Sequence, residues 1–427
     1  MSIIKKPRGT YDLFGVEAKK FNKLCEIFRM ISELYNYEEI VTPIFEHKEL
    51  FIRNIGENSD IVTKEIYDFK DKSDREIALR PENTVSVIRS VIENKLLYKN
   101  PLPLKQYYIG PMFRYERPQS GRNRQFNQFG IESIGIRNCY EQVEVISLAL
   151  TILKTLNIKN FTLKINYIAG FETRTKWINA LKQYFSNYKD QLSEDSISRL
   201  EKNPLRILDD KVDGKKEFVL NAPKVSEFFT NAEKEEWNEI QTILKNVMIK
   251  YEVEPTLVRG LDYYDGLVFE FISNSDKLKG QSTILAGGKY KNLTKELGAD
   301  NFDCIGFATG IERLMIAIED ETTIDVNDSI DLYLATLNTN KSKTHLFYLI
   351  LNSLRNAGFK SEANFNLSKI DKHFKYAQKF NPKLILIIGD KELENNSIII
   401  KDQITKQEQT ISIDDLLDKV KQLINKY

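Results

Sequence analysis

The chain has 427 residues, 41% of them hydrophobic and 29% charged, and its formal net charge is +1. This composition is typical of a folded protein, and the length predicts about three domains rather than one core. The near-zero net charge excludes a global attraction to nucleic acid, so any contact with RNA depends on local basic patches. No apolar run approaches the roughly 18 residues that span a membrane, and the start of the chain lacks the apolar stretch of a secretory signal.

Cysteine usage bears on the compartment and on metal binding. Cys25, Cys139 and Cys304 lie far apart in the chain, without a CxxC pair or a histidine-rich partner segment. This spacing argues against both a zinc site and a disulfide framework, and it fits a reducing environment. The sequence therefore predicts a cytoplasmic protein with no metal site made of its own side chains.

The first part of the chain predicts a helix followed by strands. Apolar residues at a spacing of three to four predict a helix over Val16–Tyr35. An extended run over Glu38–Phe45 follows, and Pro43 within it indicates an edge or terminating strand. Residues 105–136 form two β-rich runs around a polar loop at Glu116–Arg124. This arrangement predicts an antiparallel hairpin with a long tip.

The rest of the chain predicts a helical segment and a second domain. Residues 171–253 are polar, charge-rich and helical in pattern, which predicts an inserted helical subdomain. A strand pattern returns at Leu267–Ile272, and the acidic stretch Glu319–Asp331 indicates a linker. The last hundred residues alternate β runs with helical stretches, which predicts a small α/β domain with a mixed sheet.

The hairpin carries the most informative side chains. Residues two apart on a strand face the same side, so Arg114 and Glu116 share a face of the first strand. The second strand presents on one face an aromatic ring, an amide, a glycine and a carboxylate, namely Phe126, Gln128, Gly130 and Glu132. Phe129 and Ile131 lie on the opposite face and suit a core. The polar face suits the floor of a ligand site, and an exposed sheet face with ordinary cross-strand pairs is the alternative.

Three shorter segments add candidate residues. Residues 257–265 (LVRGLDYYD) place Arg259 beside a glycine and two tyrosines. The same pattern is also typical of a turn with a surface salt bridge. Residues 79–84 (LRPENT) contribute Glu82 and Thr84, although Pro81 and Thr84 are also typical of an ordinary helix start. Residues 306–313 (GFATGIER) have the GxxxG spacing of close helix packing and end in the cation Arg313. P-loop and strand-linked GxGxxG motifs are missing, so dispersed arginines would have to hold any bound phosphate.

Together these segments closely resemble the histidyl-tRNA synthetase family of class II aminoacyl-tRNA synthetases, over essentially the whole chain. Residues 37–46 resemble class II motif 1, the dimer-interface element. Residues 113–119 with 124–132 resemble motif 2, and residues 306–313 resemble motif 3. The RGLDYYD stretch is similar to the signature that separates the histidine-specific enzymes from other class II enzymes.

The resemblance implies a fold, a domain organisation and an activity. The implied fold is an α+β catalytic domain over residues 1–322, with an antiparallel sheet flanked by helices and a helical insertion at about 171–253. A linker over 323–330 and an anticodon-binding α/β domain over 331–427 would follow. The implied activity is ATP-dependent activation of L-histidine to histidyl-adenylate, with Mg²⁺ accompanying ATP, and transfer to the 3′ end of tRNA(His). The resemblance also implies a cytoplasmic homodimer.

The resemblance carries roles onto the phosphate-binding residues. Arg114 and Arg259 would be catalytic, because both approach the α-phosphate, where preorganised guanidinium groups stabilise developing negative charge. Phe126 would stack on adenine, with Glu116 near its amino edge, and Arg313 would clamp the ATP tail or the adenine. The implied ATP-binding set is Arg114, Glu116, Arg124, Phe126 and Arg313.

The resemblance also implies how histidine is held. Glu82 and Gln128 would serve its ammonium group, Glu132 would accept from one imidazole nitrogen, and the Tyr264 hydroxyl would serve the other. A pocket of buried hydrogen bonds rejects amino acids that cannot complete them, so no editing domain is required. The implied histidine-binding set is Glu82, Thr84, Arg114, Gln128, Glu132, Arg259, Tyr263 and Tyr264.

Contacts with tRNA are implied in two places. Gln119 and Arg122, in the motif 2 loop, would meet the acceptor end. In the last domain, lysines at a spacing of three to four predict one basic helix face, formed by Lys369, Lys372, Lys375, Lys379 and Lys383. A solvated helix face is the alternative, but the family's anticodon-binding domain occupies this region, which favours RNA contact through Lys375 and Lys379.

The sequence departs from the usual family pattern at several positions. Asn83 stands where the motif usually has glycine, and Tyr115 and Asn127 stand where histidine is common. Asp265-Gly266 replaces the usual Asn-Arg pair. None of these departures removes a proposed ligand.

Two other functions compete with histidine ligation. A catalytically silent paralogue that senses histidine as a regulatory subunit would typically lack the anticodon-binding domain and the ATP-site arginines. Arg114, Arg259 and Arg313 are all present here, and a C-terminal domain follows them. A class II synthetase for another amino acid is disfavoured by the intact run over residues 259–264.

Overall fold

The computed structural model describes residues 3–55, 61–208, 210, 212–258, 263–278, 282–326, 329–337 and 343–426. The chain divides into two compact units, Met1–Ile324 and Asp325–Tyr427. Each unit has its own β-sheet and its own hydrophobic core. No helix within the described ranges is long and apolar enough to cross a membrane.

The first unit combines two sheets with flanking helices. Its strands are β1 (Glu38–Glu39), β2 (Phe45–His47), β3 (Tyr67–Lys70), β4 (Glu76–Leu79), β5 (Leu104–Phe113), β6 (Gln125–Ile134), β7 (Phe161–Tyr167), β8 (Glu252–Val253), β9 (Tyr264–Ser273), β10 (Thr283–Tyr290) and β11 (Cys304–Gly310). Its helices are α1 (Gly15–Leu34), α2 (Lys48–Ile55), α3 (Thr84–Glu93), α4 (Leu96–Lys99), α5 (Cys139–Thr155), α6 (Phe171–Ser186), α7 (Glu194–Lys202), α8 (Leu205–Leu208), α9 (Glu217–Leu220), α10 (Asn231–Asn246), α11 (Leu293–Glu296) and α12 (Ile311–Glu321).

The large sheet of this unit has the strand order β1-β5-β6-β11-β10-β9-β7-β8. All neighbours from β5 to β7 are antiparallel, and only the short edge strands β1 and β8 pair in parallel. The predicted fold class, an antiparallel sheet flanked by helices, is therefore confirmed. Helices α1 and α5 cover one face, where the rings of Phe28 and Phe129 stack with centroids 4.5 Å apart.

The predicted hairpin is strands β5 and β6, paired from Leu104↔Ile134 to Phe113↔Gln125. The predicted alternation holds, since Phe129 and Ile131 lie in the core while the other face of β6 remains polar. Gly130 serves a different purpose from the predicted one. Its cross-strand partner is Tyr108, whose ring fills the space above it, so a Cβ at Gly130 would overlap the Tyr108 hydroxyl.

Two predicted boundaries are wrong. The extended run over residues 38–45 is not one strand, because β1 ends at Glu39 and β2 belongs to a separate small sheet of order β2-β4-β3. Pro43 lies between them and has no N–H for a ladder. The predicted linker also begins too early, because α12 continues the helical pattern to Glu321.

Helices α6 to α10 follow one another between β7 and β8 and form a helical segment over residues 171–246. Trp177, Leu181 and Phe185 recur along α6 at a spacing of four and are buried in the main core of the first unit. The helical pattern predicted for this stretch is therefore confirmed, and this segment packs against the sheet through an apolar face.

The second unit is a small α/β fold around a mixed sheet, as predicted. Its strands are β12 (Leu332–Leu337), β13 (Ser361–Ala363), β14 (Leu384–Gly389), β15 (Ser397–Asp402) and β16 (Glu408–Ser412). Its helices are α13 (Thr344–Asn356), α14 (Ile370–Ala377), α15 (Asp390–Glu394) and α16 (Leu416–Ile424). The strand order is β13-β12-β14-β15-β16. Strands β13, β12 and β14 pair in parallel, whereas β14 pairs with β15, and β15 with β16, in an antiparallel way.

The basic helix face is shorter than predicted. Helix α14 ends at Ala377, a 3₁₀ turn continues to Phe380, and Asn381 adopts a left-handed conformation with φ +45°. Lys383 is therefore off the helix, and its Nζ lies 3.0 Å from the Asp331 Oδ1 atom. Lys375 and Lys379 are exposed, and the Lys379 ammonium lies 5.4 Å from the centre of the Tyr376 ring.

Candidate functional site

A cavity of about 540 Å³ lies on the polar face of the large sheet, within the size range of small-molecule sites. Most of the predicted site residues line it, namely Glu82, Thr84, Arg114, Glu116, Arg122, Phe126, Gln128, Glu132, Tyr263, Tyr264 and Arg313. Among the residues that the structure describes, Gln119 and Arg124 are not part of this lining, and Lys375 and Lys379 belong to the second unit. Arg259 lies outside the described residues.

One end of the cavity, here called the carboxylate end, surrounds Glu132. Its carboxylate is 1% exposed and accepts hydrogen bonds from the Thr84 hydroxyl and the Tyr290 hydroxyl, both at 2.7 Å. Gly306 lies directly opposite on β11, where a Cβ would overlap the carboxylate. The glycine of the GxxxG segment thus makes room for Glu132, and helix packing does not explain it.

Burial sets the protonation of this end. Burial raises the pKa of Glu132 to about 8, although the hydrogen bonds from Thr84 and Tyr290 favour the ionised form. Burial also raises the pKa of Glu82, while N–H groups of α3 and the charge of Arg114 act in the opposite direction. Two buried carboxyls near each other in one cavity can bind a cationic or hydrogen-bonding ligand.

Glu82 is placed by the start of helix α3. Its carboxylate accepts from the backbone N–H groups of Thr84 at 2.8 Å and Val85 at 3.1 Å. These groups lack partners within the helix, so the bonds fix the carboxylate. Asn83, which replaces the usual glycine, has φ −118° and ψ −10°, a conformation open to any residue. Its Oδ1 atom accepts from the Thr42 hydroxyl at 2.7 Å, so the departure does not distort this loop.

Tyrosine rings form the wall of the carboxylate end. Tyr263 packs against Tyr264 and Tyr290, with ring centroids 4.8 and 5.5 Å apart. Within the described part of the chain, two buried polar atoms that line this end have no hydrogen-bond partner, the Tyr108 hydroxyl and the Gln128 Oε1 atom. Buried polar atoms are normally paired, so these two indicate a polar ligand.

Tyr108 and Tyr290 were not predicted. Tyr108 lies an even number of residues before Arg114, so extending the predicted alternation back along the strand would also have placed Tyr108 on this face, although β5 itself ends at Phe113. Tyr290 reaches Glu132 only through the pairing of β10 with β11 and of β11 with β6. That signal is non-local and is absent from the local sequence pattern.

The other end of the cavity, here called the arginine end, holds its cations against backbone carbonyls. Arg114 donates from Nε to the carbonyl of Pro81 at 2.8 Å. Arg313 donates to the carbonyls of Thr283 at 2.8 Å and of Gly121 at 3.2 Å. Burial lowers the pKa of Arg313 to about 10, and the charge of Arg114 adds to this effect, so Arg313 remains a cation at neutral pH.

Arg114 belongs to the arginine end and borders the carboxylate end. The carbonyl to which its Nε donates is that of Pro81, the residue before Glu82. The Arg114 guanidinium is 5.4 Å from the centre of the Phe126 ring, which lines the same cavity. A ligand that bridges the two ends would therefore meet Arg114 at its middle.

The charged residues of the motif 2 loop contact one another and the loop backbone. Arg122 forms a bidentate ion pair with Glu116, with Nη2 and Oε1 2.7 Å apart, so Glu116 is paired within the loop. Arg124 lies over the Tyr115 ring at 3.9 Å and donates to the Glu116 carbonyl at 3.1 Å. The Arg124 guanidinium therefore contacts other residues of the loop, and the proposed ATP contact of Arg124 would require the loop to rearrange.

The N-terminal segment contacts a residue that lines the arginine end. Glu312 lines the cavity and accepts from the Tyr11 hydroxyl and from the backbone N–H of Asn127, the latter at 2.8 Å. The Asn127 amide also donates to the Tyr11 hydroxyl at 2.9 Å. Asn127, which stands where histidine is common, therefore joins motif 2, motif 3 and the N-terminal segment.

The family follows from sequence comparison. The family profile described as "Histidyl-tRNA synthetase" matches residues 9–314, and the profile described as "Anticodon binding domain" matches residues 331–423. The chain belongs to the histidyl-tRNA synthetase family. The "Histidine--tRNA ligase" of Malacoplasma penetrans (strain HF-2) is 60% identical over 420 residues, 98% of each chain. That of Staphylococcus haemolyticus is 40% identical over 97% of this chain and 98% of the relative.

Solved structures show the same fold. The crystal structure of apo histidyl-tRNA synthetase from S. aureus superposes with a TM-score of 0.83 at 35% identity, over 98% of this chain and all of that one. A histidyl-tRNA synthetase from Nostoc sp. PCC 7120 superposes at 0.68 and 20% identity, over 99% of this chain and all of that one, and this likeness concerns the fold alone. The predicted family is confirmed.

Proposed function

We propose that the protein is a histidine–tRNA ligase that activates L-histidine with ATP and transfers it to tRNA(His). The observation that carries the proposal is the meeting of a buried carboxylate, Glu132, with Arg114 and Arg313 in one cavity. Membership of the histidyl-tRNA synthetase family supports the same activity.

In the first step the histidine carboxylate attacks the α-phosphorus of ATP, forming an acyl–phosphate bond, and pyrophosphate leaves. Negative charge develops on the α-phosphate oxygens, and fixed guanidinium groups stabilise it without reorganisation. The α-phosphate is the group of ATP that histidine attacks, so it would lie where the two ends of the cavity meet. Arg114 is suited to this role because it contacts Pro81, next to Glu82, and its guanidinium lies 5.4 Å from the centre of the Phe126 ring. Arg259 is proposed for the same phosphate on the strength of its motif, and Arg313 for the distal phosphates or adenine, with Phe126 stacked on the base.

Histidine is proposed to occupy the carboxylate end. Its imidazole offers one donor and one acceptor nitrogen, and Glu132 with the Tyr264 hydroxyl would serve them. Its ammonium group would meet Glu82 and the unpartnered Gln128 Oε1 atom. An amino acid without both nitrogens would leave buried polar groups unpaired, which is the physical basis of the selectivity.

Magnesium is proposed as part of the MgATP substrate. Mg²⁺ is usually bound by one or two carboxylates together with substrate phosphates. Glu116, Glu270 and Glu312 line the arginine end and offer such carboxylates. Over the described ranges, no group of three or more His, Cys, Asp or Glu residues could hold a metal ion by itself.

In the second step a hydroxyl of the terminal adenosine of tRNA attacks the acyl carbon and AMP leaves. We assign the acceptor end to the motif 2 loop, with Gln119 and Arg122, and the anticodon stem to the second unit. The exposed Lys375 and Lys379 suit contacts to phosphates, which depend on charge rather than on sequence.

We also propose a cytoplasmic homodimer. Residues 37–46, which resemble motif 1, expose apolar side chains that a monomer would leave in water, with Val41 at 84% and Phe45 at 58% exposure. Phe69, on β3 of the same small sheet, is exposed as well. Such a patch fits an isologous interface. Light scattering should give twice the chain mass of 49.7 kDa.

The test of the proposed function is ATP–pyrophosphate exchange on the purified protein without tRNA, with histidine compared against the other amino acids. The proposal predicts exchange with histidine alone. Histidine binding without exchange would instead identify a histidine-sensing paralogue. Exchange with another amino acid would refute the roles of Glu132 and Tyr264.

A further inference from the structure

The helical segment reaches the wall of the cavity through a charge-assisted hydrogen bond. Arg174, in the first turn of α6, donates from Nη1 to the backbone carbonyl of Tyr264 at 2.7 Å. Tyr264 is the first residue of β9, and its side chain lines the carboxylate end. A charged donor on this carbonyl fixes the direction in which the strand starts, and with it the position of the Tyr264 ring.

Asp265, the next residue, adds an ionic component to this contact. Burial raises the pKa of its carboxyl, and the charge of Arg174, followed by that of Lys289, opposes this rise and favours the ionised form.

A second contact joins α10, the last helix of the helical segment, to β10, the strand next to β9. Glu236, on α10, accepts from the Lys289 ammonium at 2.7 Å and from the Tyr167 hydroxyl at 2.6 Å. Lys289 precedes Tyr290 on β10, and Tyr290 donates to Glu132. The first and last helices of the segment therefore hold the two strands that carry tyrosines of the carboxylate end.

We propose that Arg174 is a positioning residue for histidine recognition, through which the helical segment forms part of the amino-acid pocket. This inference rests on the proposed function, because it assigns histidine to the carboxylate end. Arg174 acts through the Tyr264 backbone and does not contact the substrate. Loss of Arg174 therefore weakens histidine binding and leaves ATP binding, at the arginine end, unchanged.

The experiment compares Arg174→Ala and Arg174→Lys with the wild type in tRNA-free pyrophosphate exchange, measuring KM for histidine and for ATP separately. Arg199→Ala is the matched control, because Arg199 is another arginine of the helical segment and pairs with Asp210 at 2.5 Å. We expect Arg174→Ala to raise the histidine KM about tenfold, as for the loss of a charge-assisted bond, and to change the ATP KM less than twofold. Arg174→Lys keeps a charged donor, so we expect about threefold.

The outcomes separate positioning from general stability. A wild-type histidine KM in Arg174→Ala would overturn the inference, and so would an equal rise in both KM values or the same rise in Arg199→Ala. If Arg174→Ala does not fold, Arg174→Lys decides, because a purely structural anchor predicts a normal histidine KM in a folded Lys variant. A wild-type protein without histidine-dependent exchange would refute the proposed function instead.

Discussion

The two ends of the cavity hold their charged groups in opposite ways. At the carboxylate end, Glu132 is deeply buried and accepts from two side-chain hydroxyls on separate elements. At the arginine end, Arg114 and Arg313 bond to neutral backbone carbonyls, and Arg122 pairs with Glu116.

The difference indicates what each end does. The carboxylate end is formed before ligand arrives, with its hydrogen bonds fixed by strands β6 and β10 and by the start of helix α3, which suits discrimination between amino acids. The two arginines held by carbonyls can exchange these weak partners for phosphate oxygens, because an ionised acceptor forms the stronger bond. Specificity is therefore expected at one end and stabilisation of phosphate charge at the other.

The largest effect is expected from Arg114→Ala. This change removes the cation of the arginine end that borders the carboxylate end, so kcat for exchange should fall by about 100- to 1000-fold, as for lost transition-state donors elsewhere. Arg117→Ala is the matched control, since Arg117 is an exposed arginine of the same loop. A near-normal kcat in Arg114→Ala would contradict the proposal that Arg114 binds the α-phosphate.

The buried Glu132 should make the free energy of unfolding depend on pH, which tests how the carboxylate end differs from the arginine end. Its pKa is raised from 4.5 to about 8 in the folded protein, so the folded state binds the extra proton between these values. The resulting stabilisation is fully present below pH 4.5 and is lost as the pH rises through 8. The wild type should therefore lose on the order of 5 kcal/mol of unfolding free energy relative to Glu132→Gln over this window. Denaturant unfolding at several pH values measures it, and parallel pH profiles would contradict it.

Tyr290→Phe tests whether the hydroxyls around Glu132 matter for histidine. The change removes one donor and leaves a buried carboxylate oxygen without that partner, so the histidine KM should rise about tenfold. The ATP KM should stay within about twofold, because Tyr290 belongs to the carboxylate end. Tyr188→Phe, far along the helical segment, controls for the loss of a tyrosine hydroxyl. Equal changes in both KM values would mean that the two ends are not independent.

The smallest effect is expected from the second unit. Reversing the charge of Lys375 and Lys379 to glutamate should raise the tRNA KM several-fold at low salt and flatten its salt dependence. The rate of pyrophosphate exchange without tRNA should be unchanged, since neither end of the cavity is altered. The same reversal at Lys421 and Lys426, exposed lysines at the end of the chain, is the matched control. A tRNA KM that stays normal across salt would favour a merely solvated helix face.

Local patterns predicted one class of features well. Strand alternation placed Gln128 and Glu132 on one face and Phe129 in the core, because the two-residue period is a property of a single strand. The positions of Arg114 and Arg313 in the cavity followed from continuous motifs.

Other features depend on contacts between distant segments and could not be read from local pattern. Tyr290 meets Glu132 only through strand register, and the space above Gly130 is filled by Tyr108 from the partner strand. The ion pair of Glu116 with Arg122 was not predicted, because it depends on how the loop folds. The basic helix face stops before Lys383 because Asn381 turns the chain.

The most direct test of the two-ended cavity is equilibrium titration of L-histidine, without ATP, into wild type, Glu132→Gln and Arg313→Ala. At a pH above 8, where the wild-type Glu132 is ionised, the amide of the Gln variant donates where the Thr84 or Tyr290 hydroxyl also donates, so histidine affinity should fall about 100-fold. Arg313→Ala should bind histidine as the wild type does, although its exchange activity is impaired. Wild-type histidine affinity in Glu132→Gln would contradict the assignment of the carboxylate end to histidine.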